Sequence, residues 1–178
     1  GWASVIGKSS FIMGPQVRAF EEEFARYCGV KYALGVNSGT DALYLALCGL
    51  NIGAGDEVIL PTHTFIATAL CVSYTGAAVK FVDIEEKTYN IDPESLAKAV
   101  TTKTKAVIPV HLYGQMANMD EIKSICDKKG IAIVEDACQA HGAKYKGMRS
   151  GSLGKAGCFS FYPTKGLGAW GDGGAVIT

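Results

Sequence analysis

The sequence predicts an α/β fold of three layers, with helices on both faces of a mostly parallel central sheet, and two observations carry that prediction. Short apolar runs alternate with helix-period segments from about residue 32 to residue 135, in the order strand, helix, strand, helix. The polar clusters Asn37-Ser38-Gly39-Thr40, Thr62-His63-Thr64-Phe65, Glu135-Asp136 and Ser160 fall at the carboxyl ends of the expected strands. Open α/β sheets bind their ligands there.

The first helix is expected from about Pro15 to Tyr27, with proline in its first turn, three glutamates near its positive end, and Val17, Phe20 and Phe24 on one face. Gly29 stops it. A strand at 32–36 precedes a helix at 39–50, and a strand at 57–60 precedes a helix at 66–75. The alternation continues with a strand at 79–82, a helix opened by Asp92-Pro93, a strand at 105–110, a helix at 119–129 and a strand at 131–135. After Gly142 the pattern gives way to glycine-rich turns, a short strand near 158–161, a loop holding Lys165, and an apolar run at 175–177. The chain is expected to be a single domain that stops on a strand, as a fragment would.

At 178 residues with 48% hydrophobic residues, the chain is long enough to bury one core. Lys plus Arg equals Asp plus Glu at 17 each, so no basic excess points to nucleic acid or an anionic membrane. A small, neutral-to-anionic metabolite suits it better. The six cysteines form no C-x-x-C pair and sit in apolar segments, which reads as reduced thiols in a cytoplasmic protein. No stretch reaches about 18 uncharged apolar residues, and no signal peptide is expected.

Three segments carry chemistry. Ser160 to Gly168 places a hydroxyl five residues before Lys165 in a turn-rich segment after a strand; alone, Lys165 reads equally as a surface lysine. Asp136 follows the apolar residues Ile131 to Val134 and therefore sits at a buried sheet end, where a carboxylate needs a partner. That partner is a protonated pyridine nitrogen, a helix end or a cation. Asn37 to Asp41 opens a helix with small residues whose free amides suit a phosphate, or form an ordinary N-cap.

The stretches N-S-G-T-D-A-L at 37–43, E-D-A-C-Q-A-H-G-A at 135–143 and S-F-Y-P-T-K-G-L-G-A-W-G-D-G-G at 160–174, in this order and spacing, resemble the DegT/DnrJ/EryC1/StrS sugar aminotransferases of fold type I. The resemblance runs from about Phe11 to the last residue. It implies an aspartate-aminotransferase-like large domain, incomplete here and without the C-terminal small domain, in a protein that forms a homodimer. It further implies pyridoxal 5′-phosphate as cofactor, glutamate as amino donor and a nucleotide-linked keto sugar as acceptor. Carried over by position, Lys165 is the Schiff-base lysine, acting as nucleophile and then general base, and Asp136 is the pyridinium partner. Gln139 reaches the ring hydroxyl, Ser160 with Gly39 and Thr40 cradles the phosphate, and Phe65 stacks on the ring; otherwise Phe65 is a core residue at a helix start. Dehydratases of the family have histidine where Lys165 stands, which favours transamination. Asp172 resembles members acting on 3-keto sugars. Gly166, commonly asparagine in the family, bears only on local loop contacts.

Rival readings remain. An aminocyclitol aminotransferase of the same family, or a fragment inactive by itself, fits the same motifs. Gly166 to Gly171 matches G-x-G-x-x-G but is followed by a strand where a dinucleotide site needs a helix. His63, His111 and His141 lack metal-ligand spacing and are expected as hydrogen-bonded residues around the site, so no metal is expected.

Overall fold

The computed structural model describes residues 2–178. In chain order its strands are β1 (Ala33–Val36), β2 (Glu57–Pro61), β3 (Ala78–Val82), β4 (Thr104–Val107), β5 (Ala132–Asp136), β6 (Lys144–Tyr145), β7 (Met148–Arg149), β8 (Ala156–Ser160) and β9 (Gly174–Ile177). The α-helices are α1 (Trp2–Gly7), α2 (Pro15–Cys28), α3 (Gly39–Gly49), α4 (Ala67–Thr75), α5 (Pro93–Ala99) and α6 (Met119–Asp127). Seven strands form one sheet in the order β1-β9-β8-β5-β4-β2-β3. Its neighbours pair in parallel from β8 through β3, and only β9 runs against both of its partners. The sheet is therefore mostly parallel, as the alternating pattern predicts.

Strand pleating sorts the core into two sides. Val58, Leu60, Ala106, Ile108, Val134 and Cys158 pack under α3 and α4. Their neighbours Ile59, Val107 and Ile133 face the other way, onto Leu96 of α5 and Met119, Ile122 and Cys126 of α6. α2 closes the same side beyond them, where Phe24 meets Phe159 and Phe161 edge-on at ring centroids of 5.0 and 5.5 Å. Helices thus cover both faces.

Three local departures have physical reasons. The strand expected at 105–110 ends at Val107, because Pro109 cannot donate to the ladder and only Val110 rejoins it, as an isolated bridge to Asp136. The glycine-rich stretch after Gly142 holds the hairpin β6–β7, turned by Lys146 and Gly147 at φ 50° and 88°. Two successive positive φ values match the right-handed twist of a two-residue hairpin. α1 adds a short helix before α2 that no cap or periodicity signals. Among the described residues no helix is long and apolar enough to cross a membrane.

Candidate active site

β5 and β8 end side by side, and α3 starts beside them. Ser38 caps α3, its Oγ accepting from the Asp41 N–H at 3.1 Å while its carbonyl accepts from Ala42 at 3.0 Å. Gly39 and Thr40 begin the first helical turn, so their N–H groups have no partner within the helix and point out of its positive end. Helix α3 also approaches β8 at van der Waals limits. A β-carbon on Gly39 would lie 2.7 Å from the Ser160 β-carbon and 2.8 Å from Cys138 Sγ. Only glycine fits that approach, and Ser160 lines the same cavity as Gly39 and Thr40. The cradle suits a phosphate group.

Asp136 is 6% exposed, and two donors fix its carboxylate: Thr68 Oγ1 donates to Oδ2 at 2.8 Å, and the Cys138 N–H donates to Oδ1 at 3.2 Å. Three thiols surround it, and burial keeps all of them protonated: Cys71 is pushed up to about 12, and Cys138 and Cys158 lie well above their ordinary range.

Glu135, the neighbour of Asp136 in the polar cluster that ends β5, has a different place. It points to the opposite face, fully buried, and accepts from His111 Nε2 and the Gly151 N–H at 2.8 Å and from the Leu153 and Gly154 N–H groups at 2.6 Å. Residues adjacent on a strand must part in this way. Glu135 anchors the 150–154 loop and Asp136 faces the cavity.

That cavity, of about 370 Å³, brings together the seven residues that the resemblance assigns to the cofactor site: Lys165, Asp136, Gln139, Ser160, Gly39, Thr40 and Phe65 all line it. Lys165 lies on the loop from β8 to β9, which is clamped by Phe161 N–H to Gly173 O and Ala169 N–H to Phe161 O, both 2.7 Å, and by Lys165 N–H to Tyr162 O at 2.8 Å. The bland reading of Lys165 as a surface residue does not hold, since it is half-buried in the cavity wall. Nor does that of Phe65 as core, for it is 65% exposed at the cavity rim. Gln139 Oε1 accepts from the Tyr113 N–H at 3.2 Å, which ties the loop after β4 to the cavity. A second hollow of about 540 Å³, walled by Phe20, Phe24 and Tyr27 of α2, lies behind Gly166 and Leu167 but contains none of these residues.

Sequence reasoning missed Thr68, and it named Thr64 only as part of a polar cluster, with no role of its own. Their hydroxyls meet at 2.7 Å, and the signal was their spacing of four on either side of a helix start. The histidines follow the expectation in part. His63 bonds Tyr113 Oη at 3.0 Å, and His111 bonds Glu135 while accepting from the Ala117 N–H at 3.2 Å. His141 is enclosed beside the Ser160 backbone, and its ring packs against Phe159 and Phe161 at 5.5 and 5.7 Å. Burial lowers its pKa and keeps it neutral.

The chain is similar to several known proteins over nearly its whole length. The chain is 52% identical over 176 residues to dTDP-3-amino-3,4,6-trideoxy-alpha-D-glucose transaminase of Streptomyces venezuelae, covering 99% of this chain and 46% of that protein. The crystal structure of S. venezuelae DesV in complex with a ketimine intermediate superposes with a TM-score of 0.97 at 52% identity, over 99% of this chain and 47% of that one. NtdA from Bacillus subtilis, solved with bound cofactor PMP, superposes with a TM-score of 0.94 at 35% identity, over 99% of this chain and 40% of that one. The chain thus spans about half the length of the curated relatives it matches. The family model for the DegT/DnrJ/EryC1/StrS aminotransferases matches residues 2–178, and the chain belongs to this family.

Proposed function

We propose that this chain is the cofactor-binding large domain of a homodimeric, pyridoxal-phosphate-dependent aminotransferase that moves an amino group from an amino acid, L-glutamate in the first instance, to carbon 3 of a nucleotide-linked keto sugar. The observation that carries the proposal is the convergence of Lys165, a doubly hydrogen-bonded Asp136 and a free helix N-terminus on one cavity at the carboxyl end of the sheet.

The residues present fit the cofactor. The N–H groups of Gly39 and Thr40 and the Ser160 hydroxyl would hold its phosphate, in a cradle that a single β-carbon would fill. Phe65 would cover one face of the ring and Gln139 would reach its hydroxyl. Pyridoxal 5′-phosphate supplies, when bound, an aldehyde carbon that captures amines and a pyridinium ring that takes up electrons from a carbanion. Asp136 holds the proton at the ring nitrogen. Lys165 Nζ serves as nucleophile and then carries the proton to or from the substrate carbon. The cradle and the clamped Lys165 loop orient both groups, and orientation is worth several orders of magnitude in rate.

A sugar acceptor aminated at carbon 3 is supported by the Streptomyces relative, whose name specifies a 3-amino sugar, and by Asp172 in the cavity wall. The test is direct. The intact protein is loaded with pyridoxal 5′-phosphate, reduced with borohydride and mapped by peptide mass. The label is expected on Lys165, and a label on Lys144, Lys146 or Lys155 overturns the reading.

A further inference from the structure

Thr68 has no exposed surface, and its Oγ1 touches two oxygens, Asp136 Oδ2 at 2.8 Å and Thr64 Oγ1 at 2.7 Å. A hydroxyl has one proton to give, and an ionised carboxylate only accepts. Thr68 therefore donates to Asp136, which leaves Thr64 as the donor toward Thr68. The bonds run in one direction, from Thr64 in the cavity wall, through Thr68, to the carboxylate. Donors aligned in series polarise one another, so each strengthens the next. The other groups around Asp136 are Cys138, which bonds the carboxylate through its N–H at Oδ1 and through its thiol, the buried thiols of Cys71 and Cys158, and Lys165 in the same cavity wall; the hydroxyl donor to Oδ2 is Thr68.

We infer that Thr64 and Thr68 are positioning residues whose hydroxyl chain fixes the plane of the Asp136 carboxylate, so that its oxygen is aimed to hold the proton on the cofactor's ring nitrogen. A hydrogen bond donated to a carboxylate stabilises its charged form. Without it the carboxylate is free to turn and holds the ring proton less well, weakening the ring as an electron acceptor. The inference rests on the proposed function and deepens it.

The test loads the intact protein with pyridoxal 5′-phosphate carrying 15N in the ring and compares wild type with Thr68→Val, Thr68→Ser and Thr64→Val. Thr68→Val keeps the side-chain shape and removes the donor. Its ring-nitrogen resonance is expected to move toward the unprotonated position. Its kcat is expected to fall roughly tenfold or more, the scale of one hydrogen bond to a charged group. The KM for the amino donor and the cofactor Kd are expected to stay within about threefold, because the donor acts on the proton and not on binding. Thr68→Ser should restore both resonance and kcat, and Thr64→Val should shift the resonance the same way by less. A Thr68→Val protein with the wild-type resonance and kcat overturns the inference, as does a Thr68→Ser protein as impaired as the valine variant. Should Thr68→Val not fold, an unmoved resonance in Thr64→Val overturns it instead. Failure of the functional reading looks different, for the unsubstituted protein would then take up no cofactor at all.

Discussion

Gly39 and Ser160 are in contact across the cavity floor, the first at the start of a helix and the second at the end of a strand, with no room between them for a methyl group. Gly39→Ala must therefore push α3 and β8 apart. Overpacking of this kind costs about 1–3 kcal/mol in stability. The cofactor should suffer more than the fold, since the same displacement moves the amides from the hydroxyl. We expect a lower melting temperature with a cofactor Kd raised at least tenfold, checked by thermal scans and absorbance titration of the intact protein; unchanged affinity would remove Gly39 from the cradle.

Asp136→Asn separates binding from chemistry. The phosphate contacts remain, so cofactor occupancy should stay near that of the wild type, while loss of the carboxylate leaves the ring nitrogen without its proton partner. A fall in kcat by orders of magnitude is expected, each tenfold being about 1.4 kcal/mol of barrier. Turnover close to wild type in a fully loaded variant would sink the assignment.

Glu135 gathers four donors on the opposite face of β5, and Glu135→Gln turns one acceptor oxygen into an NH2 group facing N–H groups. Leaving buried donors unmatched costs about 1–3 kcal/mol each. The denaturation midpoint should drop with an unchanged m-value, while the cofactor spectrum of the folded fraction stays as it was. A spectral change as large as that of Asp136→Asn would show that the two carboxylates are not functionally separate.

The buried thiols set an alkaline limit. Cys28 is pushed from 9.0 to about 11 and Cys71 and Cys126 to about 12, each chiefly by burial. The folded state thus keeps protons that the unfolded state releases, and the thiols' contribution, complete below about pH 9, is lost as pH rises toward 11–12. Denaturant melts at stepped pH should show stability declining through that window. Alkylation near pH 8 followed by peptide mapping should label the exposed Cys48 well before these three.

For the acceptor, glutamate with a 3-keto nucleotide sugar should give a kcat/KM at least about tenfold above the 4-keto isomer, because moving the carbonyl by one ring carbon spoils the attack geometry. The reverse preference would remove the position while leaving transamination in place.

Much of this was legible in the sequence for reasons that can be named. The strand and helix alternation follows from period and caps, and the residues at 37–43, 135–143 and 160–174 carried the lysine, the carboxylate and the cradle. What could not be read depends on long-range geometry. Thr68 reaches Asp136 only because α4 packs across the end of β5, 68 residues away in sequence. The face chosen by Glu135 depends on a loop that folds back sixteen to nineteen positions later. The β6–β7 hairpin lacks the Asn-Gly or Asp-Gly turn that would announce it, and Pro109 shortens β4 although the apolar run continues.

The opposite aim of Glu135 and Asp136 makes β5 a two-position selector. A slip of β5 by one residue against its partner strands would present Glu135 to the cavity and Asp136 to the 150–154 loop, exchanging the two carboxylates. The pairing that holds β5 between β4 and β8 therefore decides which carboxylate the cavity receives.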